Sequence, residues 1–195
     1  IGVIGAGPIG CELAQSFARF GSQVYLIETT HGIMPKEDRD AAEIVEQQML
    51  RDGVKLLCCG KDLKVQKTEA GKRLTVDSHG QQYDVTVDEI LVGVGRTPNV
   101  EGIGLEAVGV EHDKNGVKVN ERLQTTNPKI FAAGDICSRY KFTHAADAMA
   151  QIVIQNALFP HPFGLGYAGV ESLIMPWCTF TEPEVAHVGM YERDA

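Results

Sequence analysis

The chain has 195 residues, of which 44% are apolar, and it carries a formal net charge of −8 with a pI near 5.2. This composition excludes a disordered or fibrous chain. The acidic charge and the lack of a Lys/Arg cluster in the sequence argue against a nucleic-acid-binding surface. No apolar run reaches the roughly 18 residues that a bilayer span needs, so we expect a cytoplasmic protein without a membrane span.

The first 60 residues alternate between strand and helix patterns, and this order predicts a parallel sheet. The predicted strands are 1–4, 23–27 and 54–58, with one helix at about 8–20 and a second helix before the third strand. On the first helix, Ile9, Leu13 and Phe17 repeat every four residues. That spacing predicts one apolar face of the helix.

From residue 63 to residue 89 the pattern changes to short alternating runs separated by glycine turns, which predicts a small antiparallel meander. The apolar run Ile90–Val92 is expected to return to the main sheet, and we place a domain boundary after it. Beyond the boundary we predict a strand at 130–133, a helix at about 144–159 and a further strand at 173–180.

Five cysteines form no regular framework, which fits a reducing compartment better than a disulphide scaffold. Cys58 and Cys59 are the one close pair. They are interpreted as two small apolar residues at the end of a strand, with a vicinal redox or metal-binding pair as the alternative. We therefore predict no metal-binding residues.

A glycine loop joins the first predicted strand to the first predicted helix. Its residues are Gly5, Ala6, Gly7, Pro8, Ile9 and Gly10. In such a loop the first glycine permits a tight turn, the second lets the backbone approach a pyrophosphate, and the third allows close packing of strand and helix. The N-terminus of the helix adds N–H donors and a positive dipole, so the loop predicts a dinucleotide site.

Glu28 stands at the end of the next predicted strand. A carboxylate there can accept hydrogen bonds from the 2′- and 3′-hydroxyls of an adenosine ribose and repel a 2′-phosphate, which predicts NAD(H) rather than NADP(H). The alternative is a solvated glutamate at a strand end.

A second signature runs from Thr125 to Gly134 and Asp135, and Thr143 and His144 stand at the N-terminus of the next predicted helix. A carboxylate after a strand can accept hydrogen bonds from the hydroxyls of an extended ligand. The N–H groups at the start of the next helix favour negative charge, such as that on a reduced isoalloxazine ring. Taken alone, the same residues also fit an ordinary strand, turn and helix.

Four segments, in order along the chain, carry a resemblance. They are GAGPIGCE at 5–12, GRTPN at 95–99, TTNPKIFAAGD at 125–135 and FTEPEVAHVG at 180–189. Together they closely resemble the pyridine nucleotide-disulphide oxidoreductases. The chain looks most like the dihydrolipoamide dehydrogenase and mercuric reductase branch, the latter through KFTHAADAMA at 141–150.

The resemblance implies roles for residues at the matching positions. The loop from Gly5 to Gly10 would hold the NAD pyrophosphate and Glu28 the adenosine ribose, and Gly95 would lie against the nicotinamide half. Glu12, near nicotinamide and flavin, is the implied catalytic residue. The other implied cofactor-binding residues are Arg96, Gly134, Asp135, Lys141, Phe142, Thr143 and His144. Of these, Asp135 would bind the ribityl and pyrophosphate portion of FAD. Lys141 to His144 would contact the flavin through their backbone amides. The His144 side chain would then be a cap or a packing residue.

The implied fold is α/β. It comprises a Rossmann-like three-layer NAD(P)-binding domain at 1–92 with a parallel sheet and a small meander, the C-terminal part of an FAD-binding domain at 93–160, and the start of an α+β dimerisation domain at 170–195. The implied activity passes hydride from NADH to FAD, and the electrons go on to a disulphide or metal-ion acceptor. The resemblance also implies a homodimer for the full-length protein.

The chain departs from the family in ways that predict a central fragment, inactive by itself. The redox cysteine pair, the glycine loop of the flavin domain and the C-terminal His-Glu pair have no counterpart in it. Two other functions stay open: a flavin NADH oxidase, peroxidase or transhydrogenase without a dithiol substrate, and a non-catalytic NAD-binding module.

Overall fold

The computed structural model describes residues 1–191. They form two compact units. The first unit contains residues 1–95 and the described residues from Cys178 onward, and the second contains residues 96–177. Within the described range, no helix is both long and apolar enough to cross a membrane.

The part of the first unit formed by residues 1–95 contains seven strands and two helices. Its strands, numbered along the chain, are β1 (Gly2–Ile4), β2 (Tyr25–Ile27), β3 (Lys55–Leu57), β4 (Gly60–Thr68), β5 (Gly71–Ser78), β6 (Gln81–Val87) and β7 (Ile90–Val92). Its helices are α1 (Pro8–Arg19) and α2 (Arg39–Arg51). Four of the strands form a parallel sheet in the order β3-β2-β1-β7, and β4, β5 and β6 form an antiparallel meander.

The predicted return of Ile90–Val92 to the main sheet is confirmed. β7 pairs in parallel with β1, with Gly2 opposite Ile90, while the other edge of β1 pairs with β2. The glycine loop therefore leaves the sheet from a central strand.

The parallel sheet lies between two apolar clusters, because successive side chains of a strand point to opposite faces. Leu26 packs into the cluster that contains residues of α1 and α2. Its neighbour Ile27 packs with Leu74 and Val76 of the meander. Helices, sheet and meander thus form three layers, and the predicted α/β class is confirmed.

The apolar face predicted for α1 packs against the core only in part. Phe17 is partly buried and packs against the cluster that contains Leu26, whereas Ile9 is 45% exposed. The buried residues of α1 are small or polar: Gly10, Cys11, Ala14 and Gln15. Small side chains fit this face because α1 at Gly10 lies directly against the backbone of the loop after β1.

The second unit contains a short hairpin and one long helix. The hairpin strands are β8 (His112–Asp113) and β9 (Gly116–Val117), and the helix is α3 (Thr143–Leu158), close to the predicted bounds of 144–159. The predicted strand at 130–133 is wrong in extent. Phe131 forms only an isolated bridge with Gln124, and Gly134–Ile136 follows as a 3-10 turn. Backbone hydrogen bonds from Thr125 to Ile130 and from Ala132 to Leu123 flank this bridge, so the pairing is too short to form a regular ladder.

The last two described strands are β10 (Trp177–Thr179) and β11 (Val185–His187), which pair with each other. β10 is shorter than the predicted strand at 173–180. Pro176 precedes it directly and, lacking an N–H, cannot join a ladder as a donor. The division into domains at 1–92, 93–160 and 170–195 stays a prediction, and residues 192–195 lie outside the described range.

Candidate functional site

Two glycines of the first loop are required by the fold itself. Gly5 has a φ of +98°, and a Cβ there would lie 2.6 Å from the carbonyl oxygen of Gly93. A Cβ at Gly10 would lie 1.9 Å from the carbonyl oxygen of Gly5. These contacts allow the turn after β1 and bring the start of α1 against it.

Gly7 is different, because no protein atom requires a glycine at this position. Its φ is −71°, which any residue can adopt, and a Cβ there would meet nothing within 4 Å. Gly7 is the residue before α1, Pro8 follows it, and no side chain caps the helix. The first N–H groups of a helix have no intrahelical acceptor. An open, uncapped helix N-terminus behind a residue without a side chain fits a pyrophosphate.

The Glu28 carboxylate organises this loop. Its Oε2 atom accepts the backbone N–H of Ala6 at 2.8 Å, and its Oε1 atom accepts those of Thr29 and Thr30 at 2.7 and 3.1 Å. The alternative of a solvated strand-end glutamate does not fit these bonds. A carboxylate has about four acceptor positions, so Oε2 retains room for a further donor such as a ribose hydroxyl.

The charge of Glu28 is held by the same contacts. Desolvation acts to raise the pKa of the carboxyl, but the backbone N–H donors of Ala6, Thr30 and Thr29 outweigh it and lower the pKa. Glu28 is therefore ionised at neutral pH. Its free acceptor position can therefore take a hydrogen bond from a hydroxyl donor.

Two side chains of α1 bind the segment that follows β10. The Oε1 atom of Glu12 accepts the N–H of Phe180 at 2.8 Å. Gln15 forms a reciprocal pair with the backbone of Glu182: its Nε2 donates to the carbonyl and its Oε1 accepts the N–H, both at 2.8 Å. The sequence analysis missed Gln15. The signal that could have found it is a polar residue on the small-residue face of α1, one turn after Cys11.

In the second unit, Arg96, Asp135 and Lys141 lie close together. The Nη1 atom of Arg96 donates to the Lys141 carbonyl at 2.6 Å and lies 3.9 Å from a carboxylate oxygen of Asp135. The Lys141 ammonium donates to the Asp135 carbonyl at 2.7 Å. Asp135 also lines an open cleft of about 360 Å³ with residues 96–99 and Ile136.

The N-terminus of α3 lies beside this group without a cap. Phe142 precedes the helix, no side chain caps it, and its first turn, which Thr143 begins, contains no acidic residue. Gly134 has a φ of +82°, and a Cβ there would lie 3.0 Å from the Cβ of Ala146, so glycine lets the 3-10 turn approach α3. The His144 ring packs: it stacks on Phe142, and its Nε2 lies 2.7 Å from the Pro176 carbonyl oxygen.

The predicted site residues thus fall into two groups, one in each unit. The first group comprises Gly5, Ala6, Gly7, Pro8, Ile9, Gly10, Glu12, Glu28 and Gly95, and the second comprises Arg96, Gly134, Asp135, Lys141, Phe142, Thr143 and His144. Asp135 lies on a 3-10 turn rather than at the end of a strand, which corrects its predicted setting.

Comparison with known proteins gives consistent matches. The family model described as pyridine nucleotide-disulphide oxidoreductase matches residues 1–150. The chain is 35% identical over 193 residues to dihydrolipoyl dehydrogenase of Bacillus subtilis, covering 99% of this chain and 40% of that protein. It is 33% identical over 196 residues to mercuric reductase of Staphylococcus aureus, covering 100% of this chain and 35% of that protein.

Solved structures match over nearly the whole chain as well. The HOCl-induced flavoprotein disulfide reductase RclA from Escherichia coli is 29% identical with a TM-score of 0.84, and the match covers 98% of this chain and 42% of that one. LpdA from Mycobacterium tuberculosis is 27% identical, also with a TM-score of 0.84, covering 99% of this chain and 40% of that one. The chain therefore spans about two fifths of the length of these relatives.

Proposed function

Because the chain belongs to the pyridine nucleotide-disulphide oxidoreductase family, we propose that it forms the NAD(H)-binding part and a portion of the FAD-binding part of a flavin-dependent oxidoreductase. FAD, when bound, supplies the group that accepts hydride from NADH and passes the electrons onward. We propose a disulphide or a metal ion as the final acceptor, because relatives are named dihydrolipoyl dehydrogenase, mercuric reductase and flavoprotein disulfide reductase. Because the chain belongs to this family, we also propose that the whole protein forms a homodimer.

The observation that carries the nucleotide site is the contrast among the loop glycines. Gly5 and Gly10 have protein neighbours that exclude a side chain, whereas Gly7 has none within 4 Å. A glycine that the packing does not need, in front of an uncapped helix N-terminus, is explained by close approach of a ligand. A pyrophosphate has the charge and size that such a terminus binds.

We propose that Glu28 selects NADH over NADPH. Its remaining acceptor position can take a ribose hydroxyl, and its ionised carboxylate repels a 2′-phosphate. The two residues that follow it, Thr29 and Thr30, offer no cation to offset that repulsion.

We propose that the second group contacts FAD. The uncapped start of α3 can donate backbone N–H groups to a partially negative ring, and Asp135 can accept hydrogen bonds from ribityl hydroxyls. Arg96 fixes the Lys141 carbonyl, and with it the chain entering α3. Glu12 is the residue that we assign to the nicotinamide and flavin vicinity.

A fluorescence titration with NADH and, separately, with NADPH tests the nucleotide site. We expect saturable binding that favours NADH, and at least tenfold weaker binding of NADH to Gly7→Ala. A matched control is Gly169→Ala, which alters a glycine with an ordinary φ of −132° and no Cβ contact closer than 3.6 Å. It should bind like the wild type.

The outcomes separate the two claims. Equal affinity for NADH and NADPH would remove Glu28 from its role as the ribose-reading residue. Absence of NADH binding by a chain whose circular dichroism shows an intact α/β fold would contradict the nucleotide site itself.

A further inference from the structure

Two cysteines and two histidines meet in the first unit, away from the glycine loop. Cys58 and Cys59 follow β3, His31 lies four residues after β2, and His79 forms the turn between β5 and β6. One ligand-type atom from each of the four side chains lies within 4.8 Å of each of the others. The sequence analysis missed the cluster because the histidines are 20 or more residues from the cysteines and join them only in the folded chain.

The spacing is close to that of a tetrahedral zinc site. Zn–S bonds of about 2.3 Å and Zn–N bonds of about 2.0–2.1 Å place tetrahedral ligand atoms roughly 3.3–3.8 Å apart. The Sγ atom of Cys58 lies 3.2 Å from Nε2 of His79, and the Sγ atom of Cys59 lies 3.7 Å from Nδ1 of His31. Separations of up to 4.8 Å would have to shorten by at most about 1 Å to enter this range, and rotations of the exposed His31 and His79 rings can supply that.

Hydrogen bonds to backbone carbonyls hold the three segments together without a metal. The N–H of Cys59 donates to the Thr30 carbonyl at 2.9 Å, and the Ser78 hydroxyl donates to the Cys58 carbonyl at 2.6 Å. Each contact joins a residue next to a histidine to the cysteine pair. The ligand set is therefore positioned before any ion binds.

The backbone conformation also explains how adjacent cysteines can share one site. In an extended strand, neighbouring side chains point to opposite faces. Cys59 has a φ of +55°, which ends that alternation directly after β3. Both sulfur atoms can then turn toward the histidines.

We propose that His31, Cys58, Cys59 and His79 form a structural Zn²⁺ site. Two sulfur and two imidazole ligands in tetrahedral spacing are typical of zinc, and four protein ligands leave no open position for catalysis. The ion would fix the segment after β2, which includes Thr29 and Thr30, to the meander. This inference does not depend on the proposed oxidoreductase activity.

Cobalt and zinc titrations of the reduced chain test the site. We expect Co²⁺ to produce the intense visible bands of a tetrahedral complex with a thiolate charge-transfer band in the near ultraviolet, and one equivalent of Zn²⁺ per chain to abolish them. Zinc should also raise the thermal unfolding midpoint. Cys58→Ser/Cys59→Ser and His31→Ala/His79→Ala should each lose the tetrahedral bands and weaken zinc binding by at least 100-fold.

Cys137→Ser is the matched control, because Cys137 is also a half-buried free cysteine but lies in the second unit. It should keep the bands and the one-to-one zinc stoichiometry. The proposal would be overturned by octahedral Co²⁺ spectra in the wild type, by bands that survive in Cys58→Ser/Cys59→Ser, or by a reduced chain that takes up no zinc. The first and third outcomes are measured on the wild type alone. The proposal can therefore be overturned even if a variant does not fold.

Discussion

The carboxylate of Glu28, at the end of β2, accepts the backbone N–H of Ala6 in the glycine loop at 2.8 Å. The residue proposed to read the ribose thus also shapes the loop proposed to hold the pyrophosphate. Both actions are strongest in the ionised form, because protonation would turn one of the two acceptor oxygens that these N–H donors share into a donor. Substitution of Glu28 is therefore expected to affect binding strength as well as the choice between NADH and NADPH.

Glu28→Gln should weaken NADH binding by about tenfold or more and reduce the preference for NADH over NADPH. The amide has one acceptor oxygen in place of two, so the N–H groups of Ala6 and Thr29 cannot both keep their partners. Hydrogen bonds to charged groups contribute roughly 1.5–3 kcal/mol each. Titrations with both nucleotides measure the effect. Glu69→Gln, at an exposed position between β4 and β5, is the control and should leave both affinities unchanged.

The lowered pKa of Glu28 predicts how stability changes with pH. A carboxyl with a folded-state pKa below its unfolded value, which is about 4.3 for Glu, stabilises the fold above that pH and loses this contribution as the pH falls through the folded-state pKa. Wild type should exceed Glu28→Gln in free energy of unfolding at pH 7, and the gap should close below about pH 4. Urea unfolding at several pH values measures it. A gap that stays constant down to pH 3 would contradict the assignment.

The order of strands and helices in the first unit could be predicted because each element has its own pattern and because a glycine loop between strand and helix has few structural solutions. The position of Glu28 followed from the same logic. Its bond to Ala6 could not be predicted, since it depends on the separation of two loops that the sequence does not encode locally.

The failures have a common physical cause. Ile9 belongs to the apolar repeat of α1 but lies exposed, because close approach of the helix at Gly10 favours small residues on the inner face. The extent of the strand predicted at 130–133 depends on how far a neighbouring segment pairs with it, and the cluster around Cys58 depends on histidines distant in the chain. Local pattern identifies an element, but pairing and clustering depend on which elements become neighbours.

Gln15→Leu should lower the free energy of unfolding by about 1–3 kcal/mol, the usual effect of leaving buried polar groups without partners. Gln15 is 4% exposed, and its amide pairs with both backbone polar groups of Glu182. A similar-sized apolar side chain cannot replace those bonds. Urea denaturation measures the loss, and amide hydrogen exchange should show faster exchange at Glu182.

Gln48→Leu is the control for this prediction. Gln48 and Gln15 both donate to the Asp52 carboxylate, at 3.0 and 2.8 Å, but it is Gln15 that also pairs with the backbone of Glu182. The control should destabilise less and leave exchange at Glu182 unchanged. Equal exchange at Glu182 in both variants would show that Gln15 does not hold this segment.

Gly10→Ala and Gly7→Ala should separate the needs of the fold from those of the ligand. A Cβ at Gly10 would lie 1.9 Å from the Gly5 carbonyl oxygen, a backbone atom that cannot rotate away, so α1 must shift from the sheet. Overpacking of this kind typically lowers the free energy of unfolding by about 1–3 kcal/mol, and a clash with backbone places the variant at or above the upper end.

At Gly7 an added methyl group meets no protein atom, so the unfolding midpoint should match that of the wild type while NADH binding weakens. Thermal unfolding and NADH titration of both variants measure the contrast. If Gly7→Ala bound NADH normally, the open space before α1 would not be where the pyrophosphate lies, and the nucleotide would have to approach the loop from another direction.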